Sequence, residues 1–398
     1  MNQELIYLLL IFVLLVVPRA LQRWKIPAPL TCLALGIAGM LGVGEGTHDR
    51  LLDLLATLGI SSLFLFAGLE VDLAALRRGL WPLMLHLALR AVLLTAVGWL
   101  AWRFAALSWQ AAGVLALALL TPSTGFIIET LGRLGLDEDE RFWVTSQAIA
   151  GEILALVLLF VLVKADRPLN MAFSAGVLVV LVLALPLFFI AVNRWIVPYA
   201  PGAEFSLLVL AGVIAAYVSY QQGVYYLLGA FIAGLVARGL QGRMPRLASY
   251  DNLHALRLFA SFFVPFYFFN AGFKGSAGAL SWWALGIGLA LTAAAVPLRV
   301  AVGWVERRLC GTGARSSLRI SVALAPTLIF TLVLAGILHE RFGINDALFG
   351  GLLLYAVLNT ALPSLVFKTP FDVDPMHEES TPVPPAPAAG SKMDAPPR

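Results

Sequence analysis

Residues 120–125 read LTPSTG, and they lie near the middle of an apolar run from about residue 108 to residue 131. A run of this length predicts a membrane-spanning helix, because ~20 residues at ~1.5 Å each cross the hydrocarbon core of a bilayer. Pro122 has no N–H group and its ring clashes with the preceding turn, so we expect the helix to break or kink there. The hydroxyls of Thr121, Ser123 and Thr124 surround this break and offer oxygen ligands.

A second interruption of the same kind occurs at residues 324–327, which read LAPT. Pro326 lies near the middle of an apolar run at about 317–338, and Thr327 adds a hydroxyl. Taken alone, a proline in a membrane helix is more often a tolerated kink. Here the register is matched, since 54 residues separate Gly68 from Pro122 and again Gly272 from Pro326. Paired interrupted helices in two halves of a chain point to a transporter site at the bilayer midplane.

Further short matches extend this internal repeat along the chain. They are LFAGLE at 65–70 with FNAGFK at 269–274, AVGW at 96–99 with AVGW at 301–304, and LGIAG at 35–39 with LGAFIAG at 228–234. The members of each pair lie seven predicted spans apart, which is an odd number. The second copy is therefore predicted to be inverted in the membrane relative to the first.

Glu152 lies midway along another apolar run, at residues 142–163. A carboxylate at bilayer depth costs several kcal/mol, so such residues usually face a water-filled path and bind protons or cations. The alternative is a protonated glutamate that is hydrogen-bonded inside a helix bundle. One carboxylate cannot hold a proton and a cation together, which predicts that Glu152 exchanges one for the other.

The composition excludes an ordinary soluble domain, because 60% of the 398 residues are hydrophobic and only 13% are charged. We predict an all-α polytopic membrane protein with about thirteen spans, and the first apolar run stays as a span because no basic segment precedes it. Sixteen basic residues fall in loops on the C-terminal side and six on the other side. This asymmetry predicts an inner (plasma) membrane protein with its N-terminus outside and its C-terminus in the cytoplasm.

Other features limit the function classes. Residues 371–398 are rich in proline and polar residues, which predicts a disordered cytoplasmic tail. No Gly-rich phosphate loop with a following lysine is present, so we expect no ATP-driven transport on this chain. The basic residues are dispersed, which does not favour nucleic acid as a partner, and the two cysteines have no metal or redox spacing. We expect no cofactor.

Three stretches carry a family resemblance. They are LFLFAGLEVD at 63–72, LLGAFIAG at 227–234 and FFVPFYF at 262–268. In this order and spacing, the chain resembles the monovalent cation:proton antiporters of the Kef and Nap type, over residues from about 5 to 367.

The resemblance implies a sodium/proton antiporter fold of thirteen helices in a membrane domain at 1–370. A dimerisation subdomain would comprise about 4–69 and 204–272, and a core subdomain about 80–163 and 281–367, with a linker helix at 171–192. The two broken helices would cross inside the core. Transport by a homodimer would be elevator-like, with each core sliding against the dimer subdomain.

The resemblance also implies roles for single residues. Glu152 occupies the position of the acidic residue that carries the proton and the cation. Electrogenic relatives have a second acid before it, whereas this chain has Gly151, which suggests an electroneutral one-for-one exchange. Relatives usually have aspartate at the carrier position, so the choice among Na⁺, K⁺ and Li⁺ stays open.

Charge compensation is assigned to two arginines. Arg299 falls where relatives have a basic residue, although it could instead extend to the cytoplasmic surface; Arg90, nearer the midplane, is a second candidate. Glu129 follows Pro122 by seven residues and would line a cytoplasmic funnel or lie at the interface. The acidic run at 137–140 is interpreted as an exposed, solvated segment, and His86 belongs to no metal-ligand spacing.

One departure from the family pattern keeps other functions open. Relatives follow the second proline with Arg-Gly-Glu or a similar polar run, but Pro326 is followed by Thr327 and Leu328. Either the two arginines cover that role or coupled exchange has been lost. The rivals are a channel-like K⁺ efflux protein, a non-transporting membrane sensor or scaffold, and a sodium-coupled carrier of an organic anion.

Overall fold

The computed structural model of the chain describes residues 3–23, 27–43, 49–71, 79–132, 134–165, 168–200, 202–222, 226–244 and 249–367. The predicted tail at 371–398 lies outside these residues. The described part is almost wholly helical. Its helices are α1 (Gln3–Gln22), α2 (Ala28–Val43), α3 (Arg50–Leu69), α4 (Leu80–Phe104), α5 (Trp109–Leu120), α6 (Thr124–Leu131), α7 (Glu138–Lys164), α8 (Pro168–Trp195), α9 (Glu204–Gln221), α10 (Tyr226–Gly239), α11 (Tyr250–Phe273), α12 (Trp282–Leu309), α13 (Ala314–Ala323), α14 (Leu328–Phe342) and α15 (Asp346–Phe367), with one 3₁₀ turn at Ala277–Leu280.

Within the described residues, ten spans are long and apolar enough to cross a membrane, and the bent pair α13–α14, with an angle of 47° at its break, makes an eleventh. Two further apolar helices, Ala28–Gly42 and Tyr226–Gly239, are shorter. The protein is thus a multi-pass, nearly all-helical membrane protein. The count of thirteen spans stays a prediction.

Side-chain caps fix where several helices begin. Asp137 accepts a hydrogen bond from the backbone N–H of Glu140 at 2.7 Å, and the Glu140 carboxylate accepts one from the N–H of Asp137 at 3.2 Å. The prediction of a wholly exposed acidic run is therefore wrong for Glu140, which is buried. Its carboxylate also accepts from Ser316 at 2.7 Å and lies 3.3 Å from Arg319.

The helices pack as two groups. We call α1–α3 and α9–α11 the scaffold bundle, and α4–α7 with α12–α15 the site bundle. Helix α8 contacts α9 and α10 of the scaffold bundle and α7 of the site bundle. The bundles also meet where α3 packs against α6.

Glycines allow the closest helix contacts of the scaffold bundle. A Cβ atom on Gly68 of α3 would lie 2.3 Å from the carbonyl oxygen of Phe231 in α10, and one on Gly234 would lie 2.1 Å from that of Leu65. Helices α2 and α11 cross in the same way, since a Cβ on Gly36 or Gly272 would approach the opposite backbone to 2.0 or 2.3 Å. Only a residue without a side chain permits such an approach. These glycines come from the repeated stretches of the sequence, so the repeat recurs in the packing.

Candidate cation and proton site

Two interrupted helices meet inside the site bundle. The first interruption separates α5 from α6 at residues 121–123, and the second separates α13 from α14 at residues 324–327. The backbone N–H of Ser123 donates to the carbonyl oxygen of Pro326 at 2.8 Å. The hydroxyl of Thr331 in α14 donates to the carbonyl of Ala118 in α5 at 2.7 Å. The second broken helix therefore supplies partners for backbone groups that the first interruption leaves free.

Glu152 lies on α7, against the first interruption. A Cβ atom on the neighbouring Gly151 would lie 3.5 Å from the ring of Pro122, so α7 packs directly on the break. The Glu152 carboxylate is buried and faces the backbone N–H and hydroxyl of Thr124, the first residue of α6.

One oxygen of this carboxylate can still accept a hydrogen bond or bind an ion. Glu152 Oε2 and Thr124 Oγ1 are both buried, and within the part of the chain that the structure describes neither has a hydrogen-bond partner of good geometry. A buried polar atom without a partner costs free energy, and such atoms mark sites where a ligand or ion belongs. Two adjacent oxygens of this kind fit a proton or a hard monovalent cation.

The two arginines bind the ends of the half-helices. Arg90 of α4 donates to the carbonyl oxygen of Leu120, the last residue of α5. Arg299 of α12 donates to the carbonyls of Leu324 at 2.9 Å and Ala325 at 2.7 Å, just after α13. The C-terminal end of a helix carries partial negative charge, which a guanidinium offsets. Among the described contacts, no hydrogen bond or ion pair joins Glu152 to either arginine.

The position of Arg299 does not fit the alternative in which it extends to the cytoplasmic surface. Its side chain is buried, with 7% of the residue exposed. Its guanidinium also lies 3.3 Å from the hydroxyl of Tyr355.

Helix α15 supplies a polar group that the sequence analysis missed. Asn359 Nδ2 donates to the hydroxyl of Thr327 at 3.0 Å and to that of Tyr355 at 3.2 Å. The Tyr355 hydroxyl in turn donates to the carbonyl oxygen of Leu119 in α5 at 2.5 Å. An asparagine inside an apolar span was the available signal, since an amide at that depth needs partners.

The structure places the remaining predicted residues as follows. Thr121 and Ser123 are buried in the first interruption, beside Thr124. Thr327 is buried in the second interruption, where its hydroxyl accepts a hydrogen bond from Asn359. The side chain of Glu129 lies outside the described part of the chain, so its assignment to a funnel stays a prediction.

Comparison with known proteins decides the family. The family model described as sodium/hydrogen exchanger, transmembrane, matches residues 8–371. The chain belongs to this family. An Na⁺/H⁺ antiporter of Enterococcus hirae is 23% identical over 359 residues, which cover 87% of this chain and 92% of that protein. Probable Na⁺/H⁺ antiporter 3 of Methanocaldococcus jannaschii is 23% identical over 376 residues, covering 91% and 95%.

A solved structure shares the fold. The sodium proton antiporter MjNhaP1 from Methanocaldococcus jannaschii, determined at pH 8, aligns with a TM-score of 0.68. The alignment covers 92% of this chain and 96% of that one, at 14% sequence identity. The resemblance to cation:proton antiporters predicted from the sequence is confirmed, and the fold is that of a sodium/proton antiporter.

Proposed function

We propose that this protein is a secondary transporter that exchanges a monovalent cation, Na⁺ or K⁺, for a proton at Glu152. The observation that carries the proposal is the buried Glu152 carboxylate, whose Oε2 has no described partner, beside the unpartnered hydroxyl of Thr124. Family membership supports cation:proton exchange as the reaction.

The site supports an alternation between two ligands of one carboxylate. A proton on Glu152 neutralises it, so a cation has no charge to bind. When the proton leaves, the carboxylate, the Thr124 hydroxyl and the other oxygens of the first interruption form a set of hard ligands for a cation. Arg90 and Arg299 are already bound to helix ends, which leaves the charge of Glu152 to be neutralised by the transported ion.

The exchange is proposed to be electroneutral. Gly151 supplies no second carboxylate on α7, so one cation replaces one proton and the net charge that crosses the membrane is zero. Selectivity between Na⁺ and K⁺ is left to the test below.

The two bundles suggest how the site changes sides. The scaffold bundle is proposed to form the contact of a homodimer, and the site bundle to slide along it as an elevator. At their junction, a Cβ atom on Gly125 of α6 would lie 3.4 Å from Leu63 of α3. This contact is between an apolar side chain and a glycine, so sliding breaks no hydrogen bond there. We place the protein in the inner membrane, with its C-terminus in the cytoplasm.

The experiment uses purified protein in liposomes that contain a pH-sensitive dye, with Na⁺, K⁺ or Li⁺ added outside. We expect cation-dependent proton movement in the wild type and none in Glu152→Gln. Glu70→Gln is the matched control, because Glu70 is a largely buried glutamate of the scaffold bundle and should leave exchange intact.

Three results would contradict the proposal. Voltage-dependent flux without proton movement would indicate a channel. No movement with any of the three ions, in folded protein, would favour a sensor or scaffold. Full exchange by Glu152→Gln would place the carrier elsewhere.

A further inference from the structure

A second buried polar cluster lies in the site bundle, on helices beside the first interruption. It joins His86 of α4, Gln147 of α7 and Glu306 of α12, which are 1%, 1% and 2% exposed. Glu306 Oε2 lies 2.8 Å from His86 Nδ1, and Glu306 Oε1 accepts from Gln147 Nε2 at 2.5 Å. Both carboxylate oxygens are thus engaged, and by two different helices.

The tautomer of His86 decides the roles of its two ring nitrogens. If the Glu306 carboxylate accepts from Nδ1–H, neutral His86 has a free lone pair on Nε2. That nitrogen is buried and has no hydrogen-bond partner of good geometry among the residues that the structure describes, although the backbone of Gln147 lies against the ring. It lies 3.8 Å from the position of a Cβ atom on Gly151, the residue that directly precedes Glu152. One ring nitrogen therefore contacts a carboxylate, and the other lies beside the residue next to the proposed carrier.

Charged groups surround the cluster from each helix packed against it. On α4, Arg90 lies one turn beyond His86, where its charge is attracted by Glu306 and repelled by Arg299. On α12, Arg307 stacks over the Trp143 ring of α7 at 4.1 Å. Helix α7 adds Glu152 itself; Glu140, nearer its start, is paired with Arg319.

We propose that His86 and Glu306 form a proton relay for Glu152, separate from the route of the cation. This rests on the proposed exchange function. The chemistry of the two sites favours the division, because hard cations prefer oxygen ligands whereas the free atom of His86 is an imidazole nitrogen. Glu306 offers oxygens, but Gln147 and His86 already occupy them.

The relay consists of proton transfers only, and each proton that leaves one group is taken up by the next. When a cation enters, the proton on Glu152 leaves and is accepted by the lone pair on His86 Nε2, which gives an imidazolium beside the Glu306 carboxylate. The imidazolium then releases its Nδ1 proton to Glu306 Oε2, and the carboxylic acid passes it to water. Return of a proton along the same route, with the carboxylate ionised at the end, restores the starting tautomer.

The test compares the maximal exchange rate with the half-saturating cation concentration, in liposomes from pH 6 to 9. We expect His86→Gln and Glu306→Gln to lower the maximal rate by about tenfold or more, as loss of a positioned proton-transfer group does. The half-saturating concentration should change less than about twofold, because the oxygen ligands at Glu152 are untouched. His339→Gln is the matched control, since His339 lies in a half-exposed contact with Asp346 at 3.8 Å.

Gly151→Ala tests the same geometry without removing a polar group. Its methyl group would lie 3.5 Å from Pro122 and 3.8 Å from His86 Nε2, which is ordinary van der Waals contact, so the variant should fold. It places a methyl group beside the lone pair and should slow exchange, while whichever of Na⁺ and K⁺ the wild type exchanges still raises the melting temperature of the purified variant.

Several results would overturn the relay. Wild-type rates and an unchanged pH profile in His86→Gln and in Gly151→Ala would show that the cluster stabilises helix packing and transfers no proton. Loss of cation binding by folded His86→Gln would place His86 in the cation site instead. If the wild type itself shows no exchange, the proposed function fails first, so the two failures are distinguishable.

Discussion

Removal of Arg299 should destabilise the second interrupted helix by a predictable amount. In Arg299→Leu, the carbonyls of Leu324 and Ala325 lose donors that now lie 2.9 and 2.7 Å away. A buried acceptor left without a donor costs about 1–3 kcal/mol. Hydrogen bonds between helices in membranes average only ~0.6 kcal/mol and reach ~1.7. Two lost bonds thus predict a loss of about 2–4 kcal/mol.

The assay is thermal unfolding of the purified protein in detergent, followed by tryptophan fluorescence. For a chain this large, the melting temperature falls by about 1–2 °C for each kcal/mol lost from the free energy of unfolding. We therefore expect Arg299→Leu to melt about 2–8 °C below the wild type. Arg90→Leu should lose about half as much, because among the described residues Arg90 donates to one carbonyl, that of Leu120, and Arg299 to two. Arg103→Leu is the control, since Arg103 is exposed and should change the melting temperature by less than about 1 °C.

The order of the three variants tests the reasoning more sharply than any single value. A melting temperature of Arg299→Leu equal to that of the control would refute the claim that this guanidinium stabilises the half-helix end. A larger loss in Arg90→Leu than in Arg299→Leu would refute the count of hydrogen bonds.

Two further predictions concern the scaffold bundle. Burial raises the pKa of Glu70, just beyond the end of α3, from 4.5 to about 7, and Arg257 offsets this only in part. The folded state therefore favours neutral Glu70 more than the unfolded state does. As the pH rises from about 4.5 through about 7, Glu70 ionises and its contribution to the free energy of unfolding is lost. Glu70→Gln should melt higher than the wild type at pH 8 and equally at pH 4.5; equal melting at both values would contradict this. Gly234→Ala should destabilise the protein by about 1–3 kcal/mol, because its Cβ would lie 2.1 Å from the Leu65 carbonyl oxygen. Gly239→Ala meets no atom within 4 Å and should be neutral, so equal losses in the two variants would refute the packing argument.

The sequence predicted the features that local chemistry determines. Pro122 and Pro326 lie at helix breaks because proline has no N–H group to continue the intrahelical ladder, and their matched register singled them out. Proline alone does not determine a break, since continuous helices contain five others: Pro18, Pro186, Pro265, Pro297 and Pro363. Glu152 was proposed as the carrier because a charge inside an apolar run is costly wherever the neighbours lie, and that role stays a prediction. The repeated glycines indicated matched halves, since close helix contacts tolerate no side chain.

Contacts between distant helices could not be predicted in this way. His86 and Glu306 are separated by 220 residues, and neither belongs to a recognisable motif. Helix periodicity gives the face of a residue but not the helix that this face meets. For the same reason Arg299 could be assigned to charge compensation or to the cytoplasmic surface, and only the neighbouring carbonyls of Leu324 and Ala325 distinguish the two.

The central claim is that one carboxylate, Glu152, holds either a proton or a cation. The most direct measurement is the number of protons that the purified protein releases into weakly buffered solution when it is saturated with the transported cation. We predict release of about one proton per chain in the wild type near neutral pH, and none in Glu152→Gln. Undiminished release by Glu152→Gln, or cation binding by the wild type without any release, would contradict the account.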